Sequence, residues 1–204
     1  MSHDSIIPTK RKPMKIKIGF DLGKYAWAKL YGHQSLDFSA DANVYKNYII
    51  RFDFGNENHH TGNSLYDYHT SGNYYRLGLD YNLYDNWPGM DNNITVGFRL
   101  GYSDFEHFLH HYTINQSGAI SPPKPIIANK KFASLNSTWF ELTGGMQVET
   151  FKNIYFGMQI SAKYLIATTK LSDFSTAYIP GFFSTNSSGL GFGMKYTISY
   201  QFSL

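Results

Sequence analysis

The chain has 204 residues, no cysteine and a net charge of +3, and its 17 Tyr and 16 Phe lift the aromatic share to 18%. That length suits one domain, the lack of cysteine excludes a disulfide framework, and so small a charge gives no argument for nucleic acid. No run of eighteen apolar residues occurs, which excludes a transmembrane helix but not a membrane barrel, whose strands are polar at every second position.

Residues 1–13 hold the basic cluster Lys10-Arg11-Lys12 and no apolar signal-sequence core. They read as a flexible, solvated arm on a chain whose secretion signal has already been removed. From residue 14 onward a different pattern takes over. Side chains of a strand point alternately to opposite faces, so period-2 alternation marks a strand with one greasy and one wet face. It begins with Ile16, Ile18, Phe20 and Leu22 interleaved with Lys15, Lys17, Gly19 and Asp21. It returns with Leu36, Phe38, Ala40, Ala42 and Val44 around Asp37, Ser39, Asp41 and Asn43, and then with Tyr48, Ile50, Phe52 and Phe54 around Ile49, Arg51 and Asp53. The fourth set, Tyr75, Leu77, Leu79, Tyr81 and Leu83, encloses Arg76, Gly78, Asp80 and Asn82. The fifth, Ile94, Val96, Phe98, Leu100 and Tyr102, encloses Thr95 and Arg99. Phe140, Leu142, Met146 and Val148 alternate with Glu141, Thr143, Gln147 and Glu149, and Ile154, Phe156, Met158, Ile160, Ala162 and Tyr164 with Gln159, Ser161 and Lys163. The last strand puts Tyr196, Ile198, Tyr200, Phe202 and Leu204 on one face and Lys195, Thr197, Ser199 and Gln201 on the other.

Eight such strands, with an aromatic-rich strand closing the chain, predict an all-β, eight-stranded antiparallel transmembrane barrel over residues 14–204. The connections sort by length. Three are short, at Tyr45-Lys46-Asn47, residues 84–92 and Phe151-Lys152-Asn153; four are long, at residues 25–34, 56–72, 107–138 and 167–188. Short turns face the periplasm and long loops the outside in this architecture, which predicts periplasmic N- and C-termini and four long extracellular loops. Tyr45, Tyr48, Tyr84, Trp87, Phe151 and Tyr155 read as an aromatic girdle at the turns.

The inward positions carry seven charges of each sign: Lys15, Lys17, Arg51, Arg76, Arg99, Lys163 and Lys195 against Asp21, Asp37, Asp41, Asp53, Asp80, Glu141 and Glu149. An eight-stranded barrel is just wide enough for side chains to fill, and buried charges are tolerated when paired. The pattern predicts a plugged, salt-bridged lumen centred on Asp41, Arg51, Asp53, Arg76, Asp80, Arg99, Glu141, Lys163 and Lys195, in preference to a pore or proton path. Hairpins turning at Lys46 and Lys152 would set Asp41 opposite Arg51 and Glu141 opposite Lys163.

The histidines His59, His60, His69, His107, His110 and His111 fall in or beside the long loops without a carboxylate or cysteine pattern at ligand spacing. They read as solvent-facing, and neither a metal nor a cofactor is expected. Candidate serines such as Ser103 and Ser137 have no histidine two residues away on their own face, so an acyl-transfer site is not apparent.

The stretches Asn73-Tyr-Tyr-Arg-Leu-Gly-Leu-Asp-Tyr-Asn-Leu-Tyr-Asp-Asn-Trp87, Tyr45-Lys-Asn47, Ala177-Tyr-Ile-Pro-Gly181 and Gly193-Met-Lys-Tyr-Thr-Ile-Ser-Tyr200 resemble a Bacteroidota outer-membrane β-barrel family of unknown function. The resemblance runs from about residue 17 to the end and implies a small barrel resident in the bacterial outer membrane; it supplies no catalytic residues. Three function classes follow. A non-enzymatic accessory subunit of an envelope complex for assembly, secretion or uptake is the leading reading. It would sit in the lipid bilayer with lipopolysaccharide, bind other outer-membrane proteins or surface lipoproteins, and use Tyr178, Ile179, Phe182 and Phe183 as an exposed partner-binding cluster. The alternatives are a lipid A-modifying enzyme and a surface adhesin or ligand-binding barrel.

Overall fold

The structure, a computed structural model, describes residues 15–62, 66–87, 90–113, 126–171, 176, 178–184 and 188–203. The predicted arm at 1–13 and Leu204 of the closing strand lie outside the described residues.

Eight antiparallel strands form the ring: β1 (Lys15–Asp21), β2 (Gln34–Tyr45), β3 (Tyr48–Gly62), β4 (Tyr66–Asn82), β5 (Asn93–Tyr112), β6 (Ile126–Phe151), β7 (Ile154–Thr168) and β10 (Leu190–Ser203). The barrel closes in the order β1-β10-β7-β6-β5-β4-β3-β2. The predicted register holds: Asp41 pairs with Arg51 and Glu141 with Lys163. Each of the two tight turns carries a bulge just before it, between Asn43 and Tyr45 and between Glu149 and Phe151. Lys46 and Asn153 take the left-handed φ values of 45° and 66° that such turns demand.

Burial is inverted relative to a soluble domain. Ile18, Phe38, Phe52, Leu77, Phe98, Leu142, Ile160 and Phe202 are exposed on the outside, while Asp53, Arg99 and Glu141 inside have no accessible surface at all. No helix among the described residues is long and apolar enough to cross a membrane. The apolar outward belt on a closed ring is the surface of a barrel that crosses with strands. We call the end with the tight turns the turn end, and the opposite one the loop end.

All four predicted long loops prove to contain regular structure. Residues 22–30 form helix α1 (Leu22–Leu30), not part of a strand and loop. Asp21 caps it by accepting the Lys24 amide at 3.0 Å, and Gly32 at φ 72° ends it, letting the His33 amide reach the Ala28 carbonyl at 2.8 Å. The expected loop at 56–72 is β-ladder up to the pair Gly62 and Asp67, and β5 and β6 likewise stay paired out to Tyr112 and Ile126. Beyond the belt the pattern changes: the upper part of β3 is polar on both faces, while Phe105, Leu109 and Leu135 of β5 and β6 turn inward, so the apolar-outward alternation fades from the sequence while the backbone ladder continues. Between β7 and β10 a small hairpin, β8 (Tyr178–Ile179) with β9 (Phe183–Ser184), completes the fold.

Two further expectations are corrected. Tyr155 is fully buried and so takes no part in an outer girdle; its odd position on β7 points inward, where its hydroxyl donates to Asp91 at 2.9 Å. His107 is buried, not solvent-facing, with Nδ1 2.7 Å from the Thr70 hydroxyl.

Candidate functional site

The alternation that sends apolar side chains to the outside sends Asp, Arg and Lys from seven strands into a narrow lumen that buries them. They solve this by sharing partners. Lys195 Nζ lies 2.7 Å from Asp37 and 2.5 Å from Asp53. Arg76 bonds Asp37 at 2.7 Å, and Arg99 reaches Asp53 at 3.2 Å and Asp80 at 3.3 Å. Arg51 donates to Asp41 at 2.8 Å, and Gln159 Oε1 accepts from both Arg51 (3.1 Å) and Arg99 (2.7 Å). Lys163 Nζ lies 3.7 Å from Glu141, and Arg76 lies 3.9 Å from the same carboxylate, which also accepts the Trp139 indole N–H at 2.7 Å. All nine predicted lumen residues are therefore brought together in one connected network, with Asp37 and Gln159 as additional members. Four predicted inward charges stand outside it: Asp21 caps α1, Lys15 pairs at 2.6 Å with Asp91, which lies in the β4–β5 connection at the turn end, Lys17 lies 3.7 Å over the Tyr155 ring, and Glu149 accepts the Asn153 amide at 2.9 Å.

A second cluster seals the loop end, and no sequence pattern announces it. Glu57, placed in an expected loop, is a buried carboxylate on β3. It pairs with Lys24 of α1 and accepts from the Tyr178 hydroxyl at 2.6 Å and the Gly181 amide at 3.3 Å. Lys24 donates to Tyr74 at 2.7 Å, Tyr74 donates to Asp37, and Lys163 donates to the Gly181 carbonyl at 2.6 Å. These bonds pull the β8–β9 hairpin into the barrel mouth. Ile179 and Phe182 have no accessible surface and pack with Tyr74, Phe105, Leu135 and Trp139, while Tyr178, 7% exposed, packs with Tyr68 and Leu109. The expectation of an exposed partner-binding cluster fails for these three. Their aromatic and aliphatic surface is used as a plug, and only Phe183 remains exposed. Gly181 makes the insertion possible: its φ is 79°, and a Cβ there would sit 2.5 Å from Tyr74 Cγ.

Beside the plug lies a cavity of about 440 Å³ bordered by α1, β2, β3, β7, β8 and β10. His33 and Ser35, two residues apart on the same side of the chain, both border it, and Ser35 pairs across the ladder with Glu57. The Ser35 hydroxyl and His33 Nδ1 are buried and bond neither each other nor any other group. His59 stacks on the Tyr178 ring at 4.1 Å, and burial pulls its pKa down to about 4. His33 and Ser35 stand at the two-residue spacing that Ser103 and Ser137 lack; Ser103 instead donates to the Asn73 carbonyl at 2.9 Å. Among the described residues no group of three or more His, Cys, Asp or Glu could hold a metal ion.

A family model described as a domain of unknown function (DUF6048) matches residues 1–204. No curated protein matches the sequence. Among solved structures, the chain is similar to a major outer membrane protein from Thermus thermophilus, with 13% identity, 95% of this chain and 100% of that chain covered, and a TM-score of 0.48. It is similar to the N-terminal β-barrel domain of Pseudomonas aeruginosa OprF at 10% identity, covering 94% and 98% of the two chains with a TM-score of 0.46. The attachment invasion locus protein Ail of Yersinia pestis gives 10% identity, 95% and 100% coverage and a TM-score of 0.44.

Proposed function

The chain belongs to the family described as a domain of unknown function (DUF6048), a description that carries no activity, and we propose the function from the geometry: a sealed barrel of the bacterial outer membrane, working as a non-enzymatic accessory subunit of an envelope protein complex. Both termini lie in the periplasm and the long hairpins outside, in contact with lipopolysaccharide and with other outer-membrane proteins or surface lipoproteins. The connection lengths support this orientation, and the resemblance of the residue 73–87 stretch to Bacteroidota barrels supports the address. The observation that carries the reading is the doubly closed lumen. A charge network spans the ring from Arg51 to Lys163 and the inserted plug caps it, so transport through the barrel has no path. What remains for function is the surface. With Tyr178, Ile179 and Phe182 withdrawn, the contact face moves to the projecting β5–β6 hairpin, where Ile127 is 76% exposed beside the exposed Ile126.

Affinity purification from native membranes through a C-terminal tag should recover partners at fixed stoichiometry, and Ile126→Glu with Ile127→Glu should release them while the barrel stays folded. A lone monomer in native membranes would end this reading.

A second reading, hydrolysis of an acyl ester, is favoured by one observation: the unpartnered His33 and Ser35 border the cavity beside Glu57. Against it, the Glu57 carboxylate is already taken by Lys24, Tyr178 and Gly181. Mass spectrometry of lipid A exposed to the purified protein tests it. Deacylation abolished by Ser35→Ala would replace the accessory role with an enzymatic one.

A further inference from the structure

The barrel wall is incomplete on one side. β1 pairs with β10 only from Asp21 and Thr197 down to Lys15 and Ser203, and the upper half of β10, from Leu190 to Tyr196, pairs with β7 alone among the described residues. On the other flank β1 pairs with β2 no higher than Phe38, which leaves Gln34 to Asp37 bonded to β3 alone. Because β1 stops at Asp21, two strand edges face each other across a gap at the loop end, and α1 occupies it, packed against both β2 and β10. The helix fits closely there because residue 23 has no side chain: a Cβ on Gly23 would fall 2.8 Å from Tyr196 Cδ2.

The 440 Å³ cavity lies behind this seam. Its outer rim is apolar and faces the surroundings of the barrel, with Trp27 56%, Phe192 79% and Met194 57% exposed. Those side chains continue the lipid-facing belt, since Ile160 and Tyr164 beside them on β7 are also outward and exposed. Its inner end is polar. The Ser35 hydroxyl and His33 Nδ1 are buried there without partners, and Lys163 Nζ, bonded to the Gly181 carbonyl, still has N–H groups to give. A close-packed protein loses dispersion energy around a void of this size, and orphaned polar atoms cost more. An occupant with an apolar body and a hydrogen-bonding end removes both costs, and the volume is that of an ordinary small-molecule site.

We propose that this cavity is a binding site for a single-chain amphiphile that enters sideways from the surrounding lipid through the α1 seam. Its acyl chain lies along Trp27, Phe192 and Met194, and its polar head meets His33 and Ser35. The site is separate from the β5–β6 contact face, so it stands or falls independently of the accessory role.

Native mass spectrometry of the detergent-solubilised full chain, titrated with palmitate in one arm and palmitoyl-lysophosphatidylethanolamine in the other, tests the proposal. One saturable equivalent of either supports it, and the arm that binds tells whether a free fatty acid or a leaflet lipid is the source. Met194→Trp fills the exposed rim without touching the lumen network and should weaken binding about tenfold or more, whereas Gly23→Ala should speed exchange by propping the seam. Heat-modifiable gel mobility confirms that each variant is folded. The absence of a saturable equivalent in both arms, or unchanged affinity in folded Met194→Trp, would overturn the proposal.

Discussion

Arg99 has no accessible surface and holds Asp53, Asp80 and Gln159 together. Replacing it with methionine keeps most of the volume but leaves two carboxylates facing each other without their shared cation. Breaking a buried pair this way costs about 3–5 kcal/mol, and urea unfolding in detergent should read a loss of that order. Adding Asp80→Asn should recover part of it, because Asp80 is left with Arg51 at 3.5 Å as its cation partner and its excess negative charge, not the missing contact, sets most of the penalty. His107 gives a pH signature of its own. Its ring sits above the belt, among Thr70, Tyr68 and Phe105, and burial pulls its pKa from 6.5 down to about 4. Between those values the unfolded chain binds a proton that the folded one refuses, so stability is full above pH 6.5 and falls as the pH drops toward 4. His107→Asn should make that acid slope shallower in thermal melts; an identical slope would show that His107 does not carry it.

The strands of the belt were legible because lipid outside and charge inside force opposite chemistry on neighbouring residues, as in Phe98, Arg99 and Leu100. The lumen network was legible for the same reason, and its register followed from two tight turns. Glu57 and Lys24 were not, since Asn56 to His60 of β3 are polar on both faces and a carboxylate on a polar stretch looks like any loop residue. The plug misled through its composition: Tyr178, Ile179 and Phe182 have the character of an exposed recognition cluster, and only their tertiary partners Tyr74, Trp139 and Glu57 turn them inward. At this scale the belt itself is open to test. Phe98 is the middle of the five outward apolar residues Ile94 to Tyr102 of β5, stacked against Phe140 at 6.2 Å, whereas Tyr48 begins β3 at the turn end. Phe98→Arg should cost roughly 2–4 kcal/mol of unfolding free energy in bilayers and Tyr48→Arg about 0–1. Equal losses would mean that the lipid slab is centred elsewhere.

Seen whole, the molecule is closed at two depths by different means. At the loop end the β8–β9 hairpin fills the mouth with Ile179 and Phe182, held by Glu57 and Lys163. Deeper, Arg51 and Arg99 bind carboxylates on neighbouring strands, Arg76 reaches past β3 to Asp37, Lys195 reaches Asp53 on β3, and Arg51 meets Gln159 of β7 across the lumen; this layer draws no residue from the plug. The two closures therefore have separable consequences. Intact protein in planar bilayers should carry no steady ion current. Replacing residues 178–184 with a short glycine-serine linker should still give none, because the guanidinium layer remains, although the variant should melt earlier for want of the packing around Tyr74 and Trp139. Steady conductance in the linker variant would show that the charge layer lets ions through and that the hairpin alone is the seal. No current together with lowered thermal stability would mean that the hairpin contributes to stability and to the loop-end surface, while the ion barrier resides in the strands themselves.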